Sequence, residues 1–417
     1  MSIIVQKFGG SSVADEDHIR LVAKRARKTK RQGHDVVVVV SAMGSTTNDL
    51  LGMANRLSRD PEYRELDMLL SAGERVTMAL LAIALQDMGQ SAISLTGPQA
   101  GILTTDDYFN ARIESVNPKR IRDELLQDKI VVVAGYQGMN KYGEVTTLGR
   151  GGSDTTAVAL AAALDAEYCE ICSDVDGVYS ADPRVVDEAS RLTDVSHEEM
   201  LEMARYGAKV LSPRAVEYAH KNDIELHSRS TFSNEPGTTI AAGHPGQADD
   251  SESTTITGVA SHRDLLWIQV KNQDILGAIG EKLAGATLFL NEPRAEGGRD
   301  LLVSAKEIAE PEAVAQRLRE TFDGEVEVRV GVGSVSGIGL GVGDSDELLA
   351  YAYQLLSDAG TTVHACWTTD HALTCLVDSG DADESLVTLH RAFVEVEGEP
   401  GNEAFRRARD KVNHLAD

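Results

Sequence analysis

The sequence predicts an α/β fold, a three-layer arrangement with a mostly parallel sheet between helices, followed by two smaller α+β modules. Three observations predict it. Over residues 1–240 short apolar runs alternate with helical stretches, the rhythm of a parallel sheet covered on both faces. At 241–257 that rhythm lapses into Ala241-Ala242-Gly243-His244-Pro245-Gly246-Gln247-Ala248-Asp249-Asp250-Ser251, a polar linker carrying Gly and Pro. Beyond it one pattern occurs twice, over 258–330 and 331–396: strand, Gly-containing turn, helix and further strands. A charged tail helix over 397–417 completes the chain.

The first strand is expected over 3–8, ending at Gly9-Gly10-Ser11-Ser12. A helix follows over 15–32, its cations Arg20, Lys24, Arg25, Arg27, Lys28, Lys30 and Arg31 forming mainly a solvated face. The second strand, 35–40, carries five valines, as a strand buried on both faces should. It ends in the small-residue turn Ser41-Ala42-Met43-Gly44-Ser45-Thr46-Thr47. Helices are expected over 48–58 and 61–88, the second broken at Gly73. Then come a strand at 91–95, a helix at 117–127 and a strand at 130–134. A polar turn at 140–143 precedes the glycine-rich stretch Thr147-Leu148-Gly149-Arg150-Gly151-Gly152-Ser153-Asp154-Thr155-Thr156 and the alanine-rich helix after it. Next are a strand at 168–172, helices at 198–205 and 208–221, and a strand at 224–227. In the first module a strand at 265–270 leads to a turn at 272–277 and a helix to about 284. In the second, a strand at 328–335 leads to a turn at 336–343 and a helix at 347–357.

The 417 residues carry a net charge of −26, from 66 acidic and 40 basic side chains, and only 5% are aromatic. Such a surface repels nucleic acid and anionic membrane, so neither is expected as a partner. With Arg outnumbering Lys, the composition suits a salt-loving organism whose counter-ions screen the self-repulsion. No uninterrupted apolar run approaches the ~20 residues of a membrane span, and the start Met1-Ser2-Ile3-Ile4-Val5-Gln6 has no basic segment before an apolar one, so a cytoplasmic location is expected. Cys169 and Cys172 form a CxxC pair, but positions three apart on a strand face opposite ways, which makes them buried thiols rather than metal ligands.

The stretch 147–156 carries the first chemical signal. Three glycines let the backbone approach a ligand, Ser153 or Asp154 can cap the helix, and free N–H groups beside Arg150 make an anion site. Alone it reads better as an ordinary Gly-rich loop with a cap. It is joined by Lys7-Phe8-Gly9-Gly10-Ser11-Ser12, Val40-Ser41-Ala42-Met43-Gly44, Ser71-Ala72-Gly73-Glu74, Ser173-Asp174-Val175-Asp176-Gly177-Val178-Tyr179, Asp182-Pro183-Arg184 and Gly207-Ala208-Lys209-Val210. In this order and spacing the motifs resemble the aspartate kinases of the amino-acid kinase superfamily. The resemblance covers about residues 1–240, and the paired modules are similar, more loosely, to that family's regulatory ACT domains.

The resemblance implies the amino-acid kinase fold, ATP with Mg²⁺, and L-aspartate as the substrate phosphorylated on its β-carboxylate. Lys7 and Asp154 are the implied catalytic pair. Thr47, Glu74, Arg150, Gly151, Gly152 and Ser153 would hold the substrate, Glu74 taking its amino group and Arg150 a carboxylate. Lys7, Phe8, Gly9, Gly10, Ser173, Asp174, Tyr179, Arg184, Lys209 and Val210 match nucleotide positions, with Tyr179 a wall for adenine and Arg184 and Lys209 on phosphates. No all-protein metal cage is expected. From spacing alone Lys7 also reads as a surface lysine, Glu74 as a solvated helix glutamate, Asp154 as a mere N-cap, Arg184 as a turn residue and Lys209 as a solvated cation. The modules lack the family's Asp-x-Pro-Gly turn, reading Asn272-Gln273-Asp274-Ile275-Leu276-Gly277 in the first copy. Joining subunits into a homodimer or larger assembly, rather than feedback by lysine or threonine, is then their implied role. Other acceptors (glutamate, acetylglutamate, carbamate, uridylate) and a non-catalytic amino-acid sensor are the alternatives.

Overall fold

The structure, a computed structural model, describes residues 2–243, 255–283, 286–294, 297–308 and 310–394. Most of the expected linker and the expected tail helix lie outside the described residues. The chain divides into two compact units. The first holds residues up to 178 with 191–201 and 209–243, and the second holds 179–190, 202–208 and 255–394. The segment 179–190 joins the second unit because Ala181 and Val186 are buried in its core and the Ser180 carbonyl accepts from Val259 N–H at 2.7 Å.

The first unit runs β1 (Ile3–Phe8), α1 (Glu16–Arg31), β2 (Asp35–Val40), α2 (Thr46–Leu57), α3 (Tyr63–Leu70), α4 (Ala72–Asp87) and β3 (Ala92–Leu95). It continues with β4 (Ile102–Thr104), β5 (Ile113–Val116), α5 (Lys119–Leu125), β6 (Ile130–Ala134), β7 (Gln137–Met139), β8 (Val145–Thr147) and α6 (Gly152–Leu164). Then come β9 (Tyr168–Ser173), β10 (Asp194–Ser196), α7 (His197–Arg205), which runs on into the second unit, α8 (Pro213–Asn222), β11 (Leu226–Ser230) and β12 (Thr238–Ala241). Eight strands form one sheet in the order β10-β12-β11-β9-β1-β2-β6-β3, parallel from β11 through β3. Every residue of Val36–Val40 and of Ile130–Ala134 is fully buried, which is why both read as unbroken apolar runs. Val36, Val38 and Val40 pack with Ile19, Val22 and Leu81 of α1 and α4. By alternation Lys7 and Val39 face the other way, where α6 lies on β1, β2 and β9.

A four-stranded sheet, β5-β4-β7-β8, stands beside the main one. Its strands are too short, three or four residues each, to register as periodic runs. The chain break expected at Gly73 falls at Ser71 instead. Gly73 lies inside α4, where a Cβ would come within 2.8 Å of the Ala42 side chain, so its smallness serves close packing. The helix expected from 208 starts only at Pro213, whose ring suits a first helical position. Residues Tyr63–Asp87 are long and apolar enough to cross a membrane by length and composition. They form two helices here, and Leu81 and Leu85 of α4 are buried against the sheet. Cys169 and Cys172 are free, buried thiols.

The second unit contains β13 (Thr255–Val270), α9 (Leu276–Lys282), β14 (Leu288–Pro293), β15 (Arg299–Ser304), α10 (Pro311–Thr321) and β16 (Val326–Leu340). It ends with α11 (Asp346–Asp358), β17 (Ala365–Thr369), β18 (Ala372–Asp378) and α12 (Ala382–Phe393). Its antiparallel sheet, β14-β15-β13-β16-β18-β17, is shared by two α+β modules. The long strands β13 and β16 serve both. Leu265–Val270 pairs with β15 and with the start of β16, over a core that includes Ile279 and Leu318. Residues 255–262 pair with the end of β16, over a core built from Leu348, Leu356, Leu386 and Leu389. The register slips between His262 and Leu265, where Asp264 has φ 57°. The turn expected at 336–343 is strand as far as Leu340. Gly337 sits where a Cβ would lie 3.2 Å from Ile256, and the chain turns at Gly341 with φ 70°.

Candidate active site

The site grows from the carboxyl ends of adjacent parallel strands in the first unit, where open α/β sheets bind ligands. β1 ends at Phe8, its neighbour β2 at Val40, and β6 next to that at Ala134. Lys7, one residue from the end of β1, sends Nζ to Asp154 Oδ1 on α6 at 2.6 Å, both side chains nearly buried. The pair ties the sheet to the first turn of α6. Neither Ser153 nor Asp154 caps that helix. The N-cap is Gly151 with φ 70°, which has no side chain to bond the terminal N–H groups. The expected capping fails because the left-handed glycine carries the chain into the helix one residue early. Both side chains are thereby released for other work.

Glu74, in the first turn of α4, is 3% exposed. Its Oε1 accepts from Ala42 N–H at 3.1 Å, just beyond β2, and its Oε2 has no hydrogen-bond partner among the described residues. Burial pushes its carboxyl up to about 7, partly opposed by the backbone N–H bonds. A buried carboxylate with one unsatisfied oxygen fits an ammonium group.

Tyr136 stands directly after β6 and Gly135. Its φ of 69° is rare for an aromatic residue and marks a constrained position. Burial pushes its hydroxyl up to about 12. A hydrogen bond to Thr147 opposes this, the charges of Glu74 and Asp67 add to it, and Arg150 pulls it back. Glu74, Asp67 and Arg150 thus act on the Tyr136 hydroxyl through charge. The ring and backbone of Tyr136 abut Gly152, where a Cβ would come within 2.9 Å. Gly135 faces Ser153 at 2.7 Å from a would-be Cβ to Oγ. At Gly151 a Cβ would strike Ser212 at 2.3 Å, so Gly151→Ala is expected to displace the loop and cost about 1–3 kcal/mol, read as a fall in Tm.

Arg150 itself is exposed on its loop. Thr47 is half-buried in the first turn of α2. Gly9 N–H donates to the Cys172 carbonyl at 3.2 Å, and Gly44 N–H donates to the Gly10 carbonyl at 3.1 Å, so the β1 and β2 turns are locked together. The Phe8 side chain is fully buried in the core, leaving only its backbone for a ligand. Ser173 ends β9 beside β1, and Asp174 after it is exposed. Lys209 is exposed and Val210 half-buried, just before the Ser212 that abuts Gly151. Tyr179 and Arg184 belong to the second unit, and Arg184 pairs with Asp182 within its own turn at 2.7 Å. The structure joins Lys7 to Asp154 in the first turn of α6 and Glu74 to Ala42 just beyond β2, and it sets the loop 150–153, Ser173 and the 209–212 segment on the same unit. Among the described residues no cluster of three His, Cys, Asp or Glu could hold a metal.

Asp67 and Tyr136 carry no signal of their own in the sequence, and Thr147 stands there only as the first residue of the glycine-rich stretch. Their contacts across the chain bring them out.

The amino acid kinase family model matches residues 2–229. Over 266 residues, 63% of the chain, the sequence is 55% identical to an aspartokinase of Mycolicibacterium smegmatis, and over the same length it is 54% identical to one of Corynebacterium glutamicum. These matches span 62% of the length of those relatives. An aspartate kinase structure from Synechocystis is similar at 36% identity and TM-score 0.53, over 95% of this chain and 70% of that one. The fold is also that of E. coli aspartokinase III solved with aspartate and ADP, with TM-score 0.78 at 24% identity over 93% of this chain and 99% of that one.

Proposed function

As the chain belongs to the amino acid kinase family, we propose that it is an aspartate kinase, transferring the γ-phosphoryl group of ATP to the β-carboxylate of L-aspartate. The observation that supports this most is Glu74. A buried carboxylate with a spare oxygen, near a loop that carries an arginine, suits an acceptor bearing both an amine and a carboxylate. The relatives named aspartokinase favour the same acceptor.

The chemistry needs no general base, because a carboxylate is already ionised at neutral pH. A β-carboxylate oxygen attacks the γ-phosphorus. The bond from that phosphorus to the β,γ-bridging oxygen breaks, giving 4-phospho-L-aspartate and ADP. Bringing two anions together is the main barrier, and positioned cations lower it. Lys7 serves the transferring phosphoryl group, and Asp154, 2.6 Å from Nζ, aims it. Arg150 takes a substrate carboxylate in its planar fork, Glu74 the ammonium, and Thr47, Gly151, Gly152 and Ser153 supply further polar contacts. Gly9, Gly10, the Phe8 backbone, Ser173, Asp174, Lys209 and Val210 serve the nucleotide. Mg²⁺, held by the ATP phosphates, would neutralise part of their charge.

On this reading residues 1–240 are the catalytic domain, and the ACT-like modules after the linker join copies of the chain. The product feeds lysine, threonine and methionine synthesis in the cytoplasm of a salt-adapted cell. Arg150→Lys is expected to raise the aspartate KM about tenfold or more and to leave the ATP KM nearly unchanged, because a point charge replaces a bidentate fork. Equal effects on both constants contradict the assignment. An ADP-release assay in high salt with aspartate, glutamate and acetylglutamate tests the whole reading. Turnover with aspartate is expected, and turnover only with another acceptor overturns it.

A further inference from the structure

We infer that Asp67 is a positioning residue that holds the Arg150 loop in the shape the acceptor requires, an inference that rests on the reading of Arg150 as a substrate ligand. Asp67 lies on α3 with 0% exposure. Its carboxylate is used only as an acceptor. Phe109 N–H bridges both oxygens at 3.0 and 3.1 Å, Thr147 N–H donates at 3.0 Å and Thr147 Oγ1 at 2.6 Å. Burial raises its pKa, which these donors oppose. So costly a group is ordinarily replaced by an apolar one unless its bonds are needed where they are.

Those bonds converge on one object. Thr147 ends β8, and Arg150 follows three residues later. Ala111 N–H donates to the Thr147 carbonyl at 2.9 Å, and a Cβ on Gly149 would lie 2.9 Å from Asn110 Oδ1. The loop therefore rests on the 109–111 turn, and Asp67 grips both. Phe109 holds φ 66°, and its ring stacks on Tyr63, one turn before Asp67 on the same helix, at 5.7 Å and 13°. α3 thus clamps the turn by ring and by carboxylate, and the turn seats the loop.

The test is steady-state kinetics with limited trypsin digestion. Asp67→Ala removes all four bonds. It is expected to raise the aspartate KM at least tenfold with the ATP KM within twofold, and to speed tryptic cleavage after Arg150 several-fold. Asp67→Asn should recover most of both effects, since its amide oxygen accepts from the N–H groups and its amide nitrogen can donate to Thr147 Oγ1. Should Asp67→Ala not fold, Thr147→Val removes the hydroxyl's bonds to Asp67 and Tyr136 while leaving the N–H bonds, and is expected to shift the same two readouts in the same direction by less. Unchanged cleavage with parallel changes in both KM values overturns the inference. If the wild type turns over a different acceptor, the proposed function fails, and the KM for that acceptor decides Asp67. A wild type inert with every acceptor overturns both.

Discussion

Lys7→Ala is expected to lower kcat by about 10³-fold or more, with both KM values changed far less. A cation aimed at a transferring phosphoryl group acts mainly in the transition state, and removing one such group ordinarily costs this much. The substitution also leaves Asp154 nearly buried and unpaired, and breaking a buried pair from one side costs up to about 3–5 kcal/mol. The two effects separate in a cycle. A Lys7→Ala, Asp154→Ala double variant is expected to regain much of the lost Tm and none of the lost turnover. A single Lys7→Ala variant that turns over at a near-normal rate shows that Lys7 only braces α6.

Glu74→Gln is expected to stabilise the protein while crippling it. The carboxyl is held at about 7 against its usual 4.5 because burial penalises the charge. Between those values the folded state keeps the proton and the unfolded state releases it, so the wild type loses stability as pH rises through this window and loses no more above it. A shift of that size corresponds to about 3 kcal/mol. The uncharged glutamine escapes the loss. The Tm advantage of Glu74→Gln is therefore small near pH 4.5, grows to several degrees by pH 7 and is constant beyond. The aspartate KM should rise about 10²-fold, since a desolvated ammonium loses its counter-charge. In the wild type, kcat/KM for aspartate should rise with pH toward a plateau above about 7. A variant of unchanged affinity, or one whose Tm advantage shrinks with pH, contradicts the role given to Glu74.

The parallel sheet was legible in the sequence because β2 and β6 are continuous apolar runs, a signal that survives without tertiary context. The four-stranded sheet was not, because strands of three or four residues show no period. Glycine was legible as a marker and misread as to purpose. Gly73 and Gly337 permit close approach inside regular elements, while Gly151 takes the left-handed turn assigned to a polar cap. In the site, Lys7, Glu74, Arg150 and Asp154 stood out by motif. Whether each was solvated depended on contacts across the chain. The 2.6 Å bond between residues 7 and 154 and the bond from Ala42 to Glu74 decide it for three of them. Asp67 and Tyr136 announce themselves only through partners distant in sequence, which no local pattern contains.

Hydroxylamine trapping tests the account most directly. With ATP and aspartate, an acyl phosphate formed at the β-carboxylate is captured as aspartate β-hydroxamate, identifiable by mass. The hydroxamate is expected from the wild type with aspartate and at trace level from Lys7→Ala. ADP release without hydroxamate, or hydroxamate formed from glutamate or acetylglutamate in preference to aspartate, contradicts the account.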